Sequence, residues 1–71
     1  MDVAGRLYVQ VARGDVKLRY RSSAVAASVR TTQDGFRLEL DEPAFGVAPG
    51  QAAVVYEEGV VVGAGNVRRE S

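Results

Sequence analysis

In Val16-Lys17-Leu18-Arg19-Tyr20-Arg21 three cations occupy alternate positions. In an extended chain successive side chains point to opposite faces, so Lys17, Arg19 and Arg21 would share one face and Val16, Leu18 and Tyr20 the other. A cationic row on a sheet suits phosphate, which a guanidinium grips through a planar fork and an ammonium holds as a point charge. The plainer use of the same residues is a solvated strand face. Gln51 is a second candidate. It follows Pro49-Gly50, a pair that fits the two central places of a type II turn. The turn would hold the Gln51 amide at its exit, able to donate and to accept hydrogen bonds.

Other chemistry is thinly supported. Asp41-Glu42 could be an acid pair or a magnesium site, but no histidine or lysine lies nearby in sequence, and the expectation is that the two hydrogen-bond their own loop. Gly63-Ala64-Gly65 mimics part of a nucleotide-binding glycine motif without the helix that would hold the phosphates, so close backbone packing is the expected reason for it. Ser22 and Ser23 have no base to activate them and are expected in a turn. The 71 residues include no histidine and no cysteine. The commonest general base, the thiolate as nucleophile or metal ligand, and disulfides are therefore all excluded from the chain itself. The expectation is a domain that is not an enzyme on its own, with no metal and no cofactor, in the cytoplasm. The start of the chain lacks signal-peptide character, and no apolar run approaches the roughly 20 residues of a membrane helix.

The elements that must position these residues read as short strands. Leu7 to Ala12 alternates, with Leu7, Val9 and Val11 on one face, and Arg13-Gly14-Asp15 reads as the following turn. Val16 to Arg21, Val25 to Arg30 and Phe36 to Leu40 repeat the alternation, the last after an Asp34-Gly35 turn. Ala52 to Tyr56 and Val60 to Ala64, joined by Glu57-Glu58-Gly59, are apolar at nearly every position, as strands covered on both faces or closing a barrel are. Nothing shows helical spacing. The chain is expected to be all-β, a single domain over residues 1–71 forming a small antiparallel β-barrel of about six strands, with 68–71 a flexible tail. Net charge is zero, but residues 1–37 carry seven basic and three acidic side chains and 38–71 two and six, +4 against −4. One half could face an anion. Between the fourth and fifth strands Pro43 and Pro49 keep an irregular segment out of the sheet, either as a crossover that closes the barrel or as a rim loop that carries contacts.

Taken together, "VKLRYRSSAVAASV" and "LELDEPAFGVAPGQAAVVYEEGVVVGAG" resemble the C-terminal domain of the bacterial tRNA-specific 2-thiouridylases. That domain carries an Arg-Tyr-Arg strand, an acid-Glu-Pro loop, a Pro-Gly-Gln turn ending in Tyr and a glycine-rich last strand. The likeness runs from about residue 16 to about residue 67. It implies a small antiparallel barrel similar to the second domain of elongation factors. It also implies that the chain is a piece of a longer enzyme, which activates the C2 carbonyl of the wobble uridine with ATP and replaces its oxygen with persulfide sulfur. The ATP-binding loop and the cysteine pair of that chemistry are absent here. Carried onto this sequence, the resemblance makes Arg19, Tyr20 and Gln51 tRNA contacts. Lys17 and Arg21 join them through the cationic row, and Tyr20, on the inner face, would reach RNA only at the rim. Three departures stand out: Phe45-Gly46 where polar or basic residues are common, Ala64 within the glycine run, and Asn66 in place of a frequent isoleucine. The function expected is tRNA recognition for a wobble-uridine thiolase. Its partners would be tRNA and the enzyme's other domains, with no membrane, and the isolated domain would be a monomer. The alternative is a module that packs between domains and touches RNA little.

Overall fold

The computed structural model describes residues 1–18, 24–42 and 50–68. They form six strands: β1 (Asp2–Leu7), β2 (Arg13–Leu18), β3 (Val25–Thr31), β4 (Gly35–Leu40), β5 (Ala52–Glu57) and β6 (Val60–Val67). All pair antiparallel, in the order β1-β4-β3-β2-β5-β6, and the sheet closes where β1 meets β6. The all-β barrel expected from the alternation is the fold observed. Closure gives every strand two partners and leaves no free edge.

Period-two burial explains four of the strands directly. Val16 and Leu18 of β2, Val25, Ala27 and Val29 of β3, Phe36 and Leu38 of β4, and Ala53 and Val55 of β5 are buried, and the residues between them face outward or lie half-buried. Phe36 is fully covered and is the largest side chain in this core. Along β6 the alternation breaks. Val55 pairs with Gly63 but Tyr56 with Val61, so Val62 is an extra residue in a β-bulge. Its carbonyl oxygen accepts the Tyr8 N–H at 2.8 Å, which ties the chain leaving β1 to the bulge.

The first strand differs from the expectation. Leu7 to Ala12 is not a strand: β1 ends at Leu7, and Tyr8 and Val9 stand 60% and 51% exposed. Arg13-Gly14-Asp15, expected as a turn, opens β2. Gly14 pairs with Ala27, and a Cβ there would lie 2.7 Å from Val55 Cγ1. Packing requires that glycine, and no bend does. In β1 only Val3 is fully buried, and Gly5 lies opposite Gly65 with β6 so near that a Cβ on either would meet the other strand's backbone. The glycines of Gly63-Ala64-Gly65 thus let two strands approach, as expected from the sequence. The β5–β6 hairpin turns through Glu58 and Gly59 at φ 50° and 80°, the two positive angles of a type I′ turn.

Candidate nucleic-acid interface

Lys17 is exposed on β2, between the buried Val16 and Leu18, so the barrel itself turns it outward. It pairs with Val54 of β5, and Leu18 pairs with Ala53. Gln51 stands just before β5, half-buried, with Gly50 at φ 86°, the angle that the second central place of a type II turn demands. Two main-chain bonds to β6 fix this corner. Gly50 N–H donates to the Val67 carbonyl at 2.7 Å and Val67 N–H to that of Gln51 at 2.8 Å. Gln51 and Lys17 therefore belong to the same two-strand neighbourhood, offset along it by three residues, about 10 Å. Arg19, Tyr20 and Arg21 lie outside the described residues, as do Ser22, Ser23, Pro43, Phe45 and Pro49. Leu18, the last described residue before Arg19, is two positions from Gln51 in register.

Asp41 of the acid pair is held in an ion pair, while Glu42 beside it is exposed. Asp41 accepts a hydrogen bond from the Arg13 guanidinium, which also donates to Ser28 Oγ at 3.1 Å. Instead of bonding its own loop, Asp41 binds a strand 28 positions away, and its main-chain N–H donates to the Ala26 carbonyl at 2.8 Å. Among the described residues no three His, Cys, Asp or Glu side chains gather as metal ligands. Arg37–Asp2 and Arg68–Asp34 are two further ion pairs, each at 2.9 Å. All three pairs are about half exposed, so each is worth at most about 1 kcal/mol. They nonetheless occupy three cations that the sequence alone left open. Depressions of 140 Å³, lined by Ser28, Val29, Arg30, Arg37 and Glu39, and of 160 Å³, near Asp34 and Arg68, fall short of the about 300–1,000 Å³ of small-molecule sites.

A closed six-stranded antiparallel barrel with polar and cationic side chains on its outer wall, and no buried polar side chain among the described residues, defines a small β-barrel module. The chain belongs to the aminomethyltransferase β-barrel domain family, whose sequence profile matches residues 6–67, and within it is a C-terminal domain of the MnmA kind. The tRNA-specific 2-thiouridylase MnmA of Trichodesmium erythraeum is 43% identical over 67 residues, covering 82% of this chain and 19% of that protein. The Chromohalobacter salexigens protein of the same name is 40% identical over 67 residues, 93% of this chain and 17% of its own. That of Picosynechococcus is 46% identical over 54 residues, 75% and 15%. The chain thus spans less than a fifth of the length of these relatives. No solved structure matches it. No helix among the described residues is long and apolar enough to cross a membrane.

Proposed function

We propose that this domain recognises tRNA for an enzyme that thiolates the wobble uridine, while the ATP-dependent chemistry is done by other domains of that enzyme. The observation that carries the reading is the pairing of β2 with β5, which sets Lys17 and the Gln51 corner on one neighbourhood of the barrel, in a chain whose relatives are named tRNA-specific 2-thiouridylases. Arg19, Tyr20 and Arg21 follow Leu18 in sequence and complete the contact set in this proposal. Lys17, Arg19 and Arg21 bind phosphate, Gln51 reads backbone or base, and Tyr20 contributes its hydroxyl or main chain at the rim. A chain without histidine or cysteine supplies no general base of the usual kind and no persulfide carrier, so its part is binding. Fluorescence anisotropy with labelled tRNA tests this. Lys17→Ala and Gln51→Ala should each weaken binding, and affinities unchanged in both would remove the proposed surface.

A second reading, packing between domains, is favoured by one feature. Tyr8, Val9, Val60 and Val61 are the exposed large hydrophobics among the described residues, at 60%, 51%, 63% and 44%. They gather where the chain leaving β1 meets the start of β6. Clustered apolar exposure marks contact surfaces. The two surfaces adjoin along β5 and β6, where Val61 pairs with Tyr56 and Val54 with Lys17, and a domain of a longer enzyme can use both.

A further inference from the structure

The described cations divide by partner. Arg13, Arg37 and Arg68 sit in ion pairs, whereas Arg6, Lys17 and Arg30 are exposed and no described carboxylate pairs with them. Register places two of these three in a single row: Lys17 opposite Val54, Val54 opposite Ala64, and Ala64 opposite Arg6. Directly opposed residues in a sheet point to the same side. The burial of Val16 and Leu18 beside Lys17 makes that side the outer one. Between the two cations the floor is Val54 and Ala64, short and half-buried. The adjacent row, on the Gln51 side, is Ala52, Asn66 and Ala4, exposed and without a carboxylate. Asp15, two residues before Lys17 on the same strand, marks the opposite border. Three strand spacings of about 4.8 Å put Arg6 about 14 Å from Lys17 across the curved sheet.

We propose that the outer face of β2, β5, β6 and β1, bordered by Lys17 and Arg6, seats an RNA sugar–phosphate backbone, an inference that rests on the RNA-recognition reading above. The two cations engage different phosphates, the small-residue floor lets the backbone approach closely, and Asn66 supplies an amide for a ribose or base edge. Charge argues for RNA over a protein partner on this face. The floor between the cations offers little apolar area, and the exposed large hydrophobics begin at its Asp15 border, where Tyr56 pairs with both Asp15 and Val61. Arg6 is invisible to strand alternation, because nothing local in Gly5-Arg6-Leu7 connects it with Lys17. Only closure of the barrel does.

Binding of labelled tRNA to the wild type and to Arg6→Ala, Lys17→Ala and Arg30→Ala, each checked for an unchanged fold by NMR, tests the assignment. Arg30 is another exposed cation, on β3 opposite Arg37, and controls for net charge. At about 50 mM salt, Arg6→Ala should weaken binding about fivefold and make the log–log salt slope shallower by about 0.7–0.9. Arg30→Ala should leave both unchanged. Equal losses in Arg6→Ala and Arg30→Ala would mean that binding follows net charge, which overturns the proposed face. A loss in Lys17→Ala with none in Arg6→Ala would overturn the face while leaving recognition through β2 standing. No binding by the wild type would overturn both.

Discussion

Gly65→Ala is the substitution to which the barrel should be most sensitive for its size. Gly65 pairs with Gly5 at the seam where β6 closes onto β1 and with Ala53 of β5 on its other side. A Cβ at Gly65 would run into the Ala4 carbonyl and stand 2.7 Å from Val3 Cγ1 and 2.9 Å from the Ala4 carbonyl carbon. Two of these atoms are backbone and the third belongs to a side chain 1% exposed, so none can move without shifting the strand or the core. Replacing glycine by alanine within a strand gains about 0.5–1 kcal/mol from backbone entropy. Overpacking costs about 1–3 kcal/mol, and an unyielding contact belongs at the upper end. The net loss is about 2 kcal/mol, against a total stability of about 4–11 kcal/mol for 71 residues at the usual value per residue. In urea, with a slope of about 1 kcal/mol per molar for so small a domain, the midpoint should fall by about 2 M. Circular dichroism measures it. Ala64→Gly, which restores an unbroken glycine run at a half-buried position, is the control, and should cost no more than about 1 kcal/mol. A Gly65→Ala midpoint equal to or above that of the wild type would refute the close approach of β1 and β6.

Three further outcomes are expected. Glu58 occupies the first central place of a type I′ turn at φ 50°, where asparagine or glycine is preferred, so Glu58→Asn should raise stability by about 0.5–1 kcal/mol in the same urea titration. Phe36→Ala empties the centre of the core and should cost about 3–5 kcal/mol, enough to leave a large unfolded fraction visible as collapsed amide dispersion in NMR spectra at 25 °C. A double-mutant cycle over Arg13 and Asp41 should return a coupling of at most about 1 kcal/mol that shrinks as salt is added, because both side chains are about half exposed.

Strands β3 to β6 were legible because each alternates strictly or is bounded by Asp-Gly, Pro-Gly or Glu-Gly turn chemistry. β1 was not. In Asp2-Val3-Ala4-Gly5-Arg6-Leu7 the glycine that lets β6 approach also erases the apolar period, and the better-patterned Leu7, Val9 and Val11 misled because two of the side chains beside or within that run, Tyr8 and Val9, are exposed. Gly14 misled in the same way, since a glycine beside a charged pair suggests a bend and here serves contact with Val55. Of the candidate interface, Lys17 and the Gln51 corner could be read from alternation and turn chemistry. The pairing of Arg13 with Asp41, which takes one cation out of play, and the alignment of Arg6 with Lys17 could not. The first depends on the register of β2, β3 and β4 and the second on β1 closing onto β6, and no local window contains either.

On this reading RNA docks on the wall of the barrel formed around β2 and β5. An NMR titration of the isotope-labelled domain with tRNA at low and moderate salt tests it most directly. The prediction is amide shifts concentrated at Lys17, at Val54 opposite it on β5 and at Gln51, weakening as salt rises, with Ser28, Arg30 and Glu39 on β3 and β4 unmoved. A folded spectrum that tRNA leaves unchanged, or one that moves mainly at Tyr8, Val9, Val60 and Val61, would contradict it.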